Sequence, residues 1–352
     1  LLEAKKENDP VRVLELFLLT FHTRNCRGGK GDKKLFYQMI NIMYCKYPKT
    51  VLNLVEYIPE YGYWKDTLLI IKEVSENGYA GVDYSDLKNS LYKLIAAQII
   101  LDYEKLNNGD INISLVGKWC PRENKYFHKN FNSVSKIIKI IYPEVVGNHL
   151  RGKSKLEITM AWNHAKKLYS NMVTKLSKAL EVPEILMCAK KYSKINFSKN
   201  MPSLCLNKNM KLFLNQTENG DIRYPNDPDR IECAENLISN LSNLKGKMLF
   251  PNDIVGKILN NNKMSHYVKS INNVQWEKVR ENIINISEQN SKSNFSELYA
   301  MCDVSGSMYG KPMEVAIALS ILISEINKTD LILTFSENCE WVDLKDYDNI
   351  YD

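Results

Sequence analysis

Apolar residues recur at helical spacing from Val11 to Ile286, and beyond that the pattern changes to short apolar runs with no helical period. That switch restricts the chain to a mainly α fold, a helical body followed by an α/β segment. Helices are predicted over 11–22, 34–47, 50–58, 64–74, 85–106, 134–142, 156–179, 183–191, 229–244, 253–259 and 265–286. Pro48 closes the second, Asn77-Gly78 the fourth, and Asn107-Asn108-Gly109 the fifth. The 11–22 stretch is apolar nearly all round and is expected to lie in the core. Helices of ordinary length joined by turns fit stacked pairs, so the expected body is a HEAT-type α-solenoid, possible also as a ring. No clean repeat period runs through it.

The polar stretch 290–296 reads as a linker between a helical domain, 1–289, and an α/β domain that begins in 297–352. Within the latter, 298–302 and 330–336 have the apolar run of buried strands, and 314–326 that of a helix. Strand, helix, strand with short loops is a βαβ unit and implies a parallel sheet. Asp303-Val304-Ser305-Gly306-Ser307 stands at the end of the first strand. A carboxylate and two hydroxyls on one tight turn are hard oxygen ligands, suited to Mg²⁺ or Mn²⁺ and not to zinc. Strand ends are also where open α/β sheets place their ligand sites.

Charge is distributed unevenly. The chain has 47 Lys/Arg and 41 Asp/Glu, for a net +6. Residues 1–110 and 216–296 are neutral, 111–215 carry +14, and 297–352 carry −8. In the basic stretch Lys118, Arg122, Lys125, Lys129, Arg151, Lys153, Lys155, Lys166, Lys167, Lys175 and Lys178 are interleaved with Trp119, Tyr126 and Phe127. Clustered Lys/Arg attract phosphate by counterion release, and aromatic rings offer stacking platforms for unpaired bases. RNA is therefore an expected partner, set against a plainly solvated helix face.

Apolar residues at 44% and charged residues at 25% exclude a disordered chain. No apolar run approaches the roughly 20 residues that cross a bilayer. Eight cysteines without a CxxC pair read as reduced thiols in a cytoplasmic compartment. A start at Leu1 and an end soon after a strand suggest a fragment at both ends.

The Asp303–Ser307 motif, between a strand and a helix, resembles the metal-ion-dependent adhesion site of von Willebrand factor A (vWA) domains. By that resemblance Ser305 and Ser307 bind the metal directly, Asp303 acts through water, and the metal's open position takes an acidic group of a protein partner. The family's further threonine and aspartate would fall beyond Asp352. A haloacid dehalogenase-type aspartyl nucleophile is disfavoured, since its second aspartate falls where this chain has Ser305. Residues 24–36 (Arg-Asn-Cys-Arg-Gly-Gly-Lys-Gly-Asp-Lys-Lys-Leu-Phe) and 58–66 (Ile-Pro-Glu-Tyr-Gly-Tyr-Trp-Lys-Asp) resemble turns of TROVE-type proteins, the family of the Ro ribonucleoprotein. Val182-Pro183-Glu184 and Met201-Pro202-Ser203 resemble an uncharacterised family with members in plants and large DNA viruses. The resemblance implies helical repeats plus a vWA domain, and a non-enzymatic RNA-binding protein. A protein-interaction scaffold without nucleic acid is the alternative. Arg24, Arg27 and Lys30 are expected to project from the rim of the glycine-rich turn, to touch an RNA backbone or to be solvated. That turn lacks the spacing of a phosphate loop.

Overall fold

Short polar side chains open three of the helices that the periodicity predicts. Asp32 accepts from the Leu35 N–H at 3.1 Å, Asp227 caps the helix that begins at Pro228, and Ser154 and Glu157 form a reciprocal capping box. The structure, a computed structural model, describes residues 10–146, 151–199, 201–244, 249–260, 264–289, 298–347 and 349–351. It is mainly helical, and its contacts divide the chain into two units, 1–182 and 183–352. The expected linker at 290–296 lies outside the described residues.

In the first unit the helices are α1 (Pro10–Arg24), α2 (Lys33–Lys46), α3 (Pro48–Leu54), α4 (Ile58–Tyr61), α5 (Trp64–Glu76), α6 (Ser85–Asn107), α7 (Val116–Trp119), α8 (Tyr126–Phe131), α9 (Ser133–Ile141) and α10 (Lys155–Ala179). Helices α1 and α2 pack together, α2 on α5, α5 on α6, and α6 on α9 and α10. Phe36, Leu87, Leu91, Tyr92, Ile137 and Leu176 are buried among them. The predicted stop before Pro59 is instead a 3₁₀ turn, Val55–Tyr57, and Pro59 sits in the first turn of α4, where its missing N–H costs nothing. Helix α1 is not the buried core helix expected: Phe17 and Phe21 face inward, while Val11, Leu14 and Leu18 are about 60% exposed. Helix α7 approaches α10 closely at Gly117, where a Cβ would stand 2.7 Å from that of Leu176.

The second unit contains α11 (Pro183–Cys188), α12 (Ser203–Phe213), α13 (Pro228–Ser239), α14 (Pro251–Leu259), α15 (His266–Gln289), β1 (Ala300–Asp303), α16 (Lys311–Asn327), β2 (Leu331–Phe335) and β3 (Cys339–Asp343). The predicted βαβ unit is present: β1 and β2 pair in parallel, with Ala300 opposite Ile332 and Asp303 opposite Phe335. The sheet is mixed, however. Strand β3 runs antiparallel to β2, with Leu331 opposite Asp343, and it is a mostly exposed edge whose glutamate and aspartate obscured it in the sequence. Leu249, Ile254, Val255, Trp276 and Val279 form one core with Ala318 and Leu322 of α16. Packing thus joins the α/β segment to the two helices before it, where the sequence pattern separates them.

All eight cysteines are free, and their surroundings differ. Burial pushes the thiols of Cys120 and Cys233 up to about 12, whereas Cys188 and Cys339 are exposed. Alkylation at pH 8 followed by peptide mass spectrometry is expected to label Cys188 and Cys339 rapidly. Cys120 and Cys233 should react only on unfolding, and early labelling of either would contradict the buried assignment.

Candidate functional site

Two places gather the residues that the sequence singles out. The first is the turn after β1. Its start is anchored by the Val304 N–H, which donates to the Phe335 carbonyl at 3.0 Å. The Ser305 N–H then donates to Asp303 Oδ1 at 2.9 Å, and a 3₁₀ turn, Gly306–Met308, brings the Ser305 and Ser307 hydroxyls to 3.0 Å from each other. Hydrogen bonds from Ser305 hold the Asp303 carboxyl below its ordinary range, so it is ionised at neutral pH. One carboxylate and two hydroxyls on a single turn fit a hard divalent cation that keeps part of its water shell. Among the described residues no group of three or more His, Cys, Asp or Glu converges as a metal site.

The second is the set of basic side chains on and beside α5, α7, α8 and α10. Lys118 is half-buried, with its ammonium 5.2 Å from the centre of the Trp119 ring. Lys166 pairs with Glu123 at 2.9 Å. Arg122 donates to Ser177 Oγ at 2.6 Å, and Ser177 Oγ donates to the Gly117 carbonyl at 2.7 Å, so Arg122 braces the α7–α10 junction. Lys175 donates to Asn107 and lies 5.3 Å from the Tyr103 ring centre. Lys125, Lys129, Arg151, Lys153, Lys155, Lys167 and Lys178 are exposed. Two members of this set come from a stretch whose net charge is zero. Lys65 reaches the Trp119 ring at 5.2 Å, and Lys72 the Tyr126 ring at 5.4 Å. Their seven-residue spacing puts them on one face of α5, a signal present in the sequence but meaningful only once α7 and α8 are known to lie beside it.

The glycine-rich turn corrects one expectation. Arg24 does not project: it is 3% exposed, and its Nε donates to Asp66 at 2.8 Å. Burial lowers its pKa, but the hydrogen bond and charge of Asp66 outweigh that and leave it raised. A buried, paired guanidinium cannot reach an RNA backbone. Arg27 and Lys30 are exposed, Arg27 donating to the Glu60 carbonyl and Lys30 lying 3.8 Å from Asp32. The turn is no anion cradle either. The Arg27 and Gly28 N–H groups donate to the Asn25 side chain, at 2.9 and 3.1 Å, and that of Gly29 to the Asn25 carbonyl. A Cβ on Gly29 would meet the His22 carbonyl at 2.1 Å, so glycine is needed for close approach.

Among the described residues no helix is long and apolar enough to cross a membrane. Comparison with known families gives two matches. A family described as a domain of unknown function, DUF2828, matches residues 76–288, and a second domain of unknown function, DUF7788, matches residues 297–352. An uncharacterised protein, L728, of Acanthamoeba polyphaga mimivirus is 27% identical over 343 residues, covering 92% of this chain and 54% of that protein. The chain therefore spans about half the length of that relative. No solved structure matches. The expected kinship with an uncharacterised family represented in viruses is borne out.

Proposed function

Since the chain belongs to the DUF2828 family, whose description assigns no activity, we propose its function from its own residues: it is a non-enzymatic RNA-binding protein of Ro-like design. The observation that carries this reading is the charge of residues 111–182, which hold 13 Lys/Arg against 4 Asp/Glu, with most of the basic side chains exposed and Lys118, Lys136 and Lys175 each lying against an aromatic ring. Phosphates of a bound strand displace counterions from these side chains, and the helices, read as a HEAT-like solenoid, present them as one surface.

Residues 297–352 are read as the start of a vWA-like domain. Asp303, Ser305 and Ser307 would hold Mg²⁺ or Mn²⁺, which supplies a positive centre for an acidic group on a protein partner. The turn itself orients these oxygen donors, and hydrogen bonds from Ser305 keep the aspartate ionised.

The test uses four exposed lysines. Changing Lys125, Lys129, Lys167 and Lys178 to Glu removes four candidate phosphate contacts. For a single strand each contact contributes about 0.7 to the slope of log affinity against log salt, so the slope should fall by about 3. Binding of a short single-stranded RNA, followed by anisotropy at several salt concentrations, measures this. An unchanged slope, or no binding by the parent chain at low salt, overturns the proposal in favour of a protein scaffold.

A further inference from the structure

We propose that the ring of Tyr126, with the Trp119 indole as a second platform, stacks the unpaired bases of single-stranded RNA. This inference rests on the RNA-binding reading above and names where and in what form the RNA is held.

Helix α8 has the sequence Tyr-Phe-His-Lys-Asn-Phe, and none of its residues is fully buried. A helix with three aromatic residues and no buried one is unusual, because rings normally drive burial. Tyr126 is 46% exposed, yet its orientation is held. Its hydroxyl donates to Glu76 at 3.1 Å, and its ring meets Phe127 edge-on at 5.3 Å and Phe131 at 6.0 Å. An exposed ring already fixed in place loses little entropy when a ligand lies on it.

Lysines lie against both rings. Lys72 lies 5.4 Å from the centre of Tyr126, and Lys65 and Lys118 each lie 5.2 Å from that of Trp119. An exposed lysine–ring contact is weaker than the stacking of a base on the same ring. A base therefore displaces the ammonium, and the released ammonium, on its flexible stem, meets the phosphate that arrives with the base. Lys65 and Lys72 are two helical turns apart, about 10 Å along α5. That separation suits bases splayed out from one strand, which a duplex does not offer.

The experiment titrates the whole chain with a short oligouridine strand and with an RNA duplex of equal length. Tyr126→Leu, which removes the π-face and keeps bulk, should weaken the single strand about tenfold and leave the duplex and the salt slope unchanged. Tyr126→Phe, which loses only the Glu76 hydrogen bond, should stay within about twofold of the parent. Tryptophan emission should be quenched by the single strand, and less so in Trp119→Phe. Equal loss for single strand and duplex in Tyr126→Leu, or no loss, overturns the stacking site while salt-dependent binding preserves the RNA-binding reading. Failure of the parent chain to bind either RNA overturns both.

Discussion

Replacing Asp66 with alanine is expected to lower the unfolding free energy by about 3–5 kcal/mol, a large part of the total for a domain. Asp66 is 2% exposed and accepts three hydrogen bonds: from Arg24 Nε at 2.8 Å, from the Tyr37 hydroxyl at 2.6 Å and from the Tyr63 N–H at 2.8 Å. The first joins α5 to α1, the second joins it to α2, and the third caps α5. Burial and the neighbouring Asp66 charge push the Tyr37 hydroxyl upward, so it remains a neutral donor over the whole accessible pH range. Without Asp66 the Arg24 guanidinium is left buried without its counter-charge, and most of the expected loss is the cost of that charge. The double variant Arg24→Met with Asp66→Leu should therefore recover most of the stability, because it removes both charges and keeps the volume. Urea unfolding followed by circular dichroism measures both. A loss below about 1 kcal/mol in Asp66→Ala would show that the pair is solvated.

The same pair shows where sequence reading stops. Local signals placed α10 at 156–179 against an observed Lys155–Ala179, because Ser154 and Glu157 cap it within four residues. Arg24 stands in a run of basic residues, and nothing local says that its counter-ion is 42 positions away. Lys65 and Lys72 escape a local reading for the complementary reason, since their partners Trp119 and Tyr126 lie on helices beside α5 from far along the chain. The oxygen-rich turn at Asp303–Ser307 was fully legible, its atoms all belonging to one five-residue segment. Helix α12 is not legible in the sequence because its pattern breaks midway: Asn209 departs from helical backbone angles, at φ −116° and ψ 16°.

That missed helix carries the second large effect. Phe213→Ala is expected to cost about 3–5 kcal/mol. Phe213 is fully buried at the end of α12, with its ring edge-on to Phe197 at 5.5 Å, in a core shared with Met201, Leu206, Met210, Cys233 and Leu237. Truncation removes its contacts and leaves a cavity lined by side chains that backbone hydrogen bonds hold in place, such as that from the Leu214 N–H to the Met210 carbonyl at 2.9 Å. Phe213→Leu, which refills part of the space, should cost less. Cys233 reports on the same core, since it is fully buried and its thiol reacts only when that core opens. A loss of about 3 kcal/mol lowers the cost of opening by the same amount, so alkylation of Cys233 should accelerate about a hundredfold in Phe213→Ala. Cys120, in the core of the first unit, serves as the internal reference and should keep its parent rate. Equal acceleration at both thiols would mean that the two cores open together, and an unchanged rate at Cys233 would place Phe213 outside the packing that protects it.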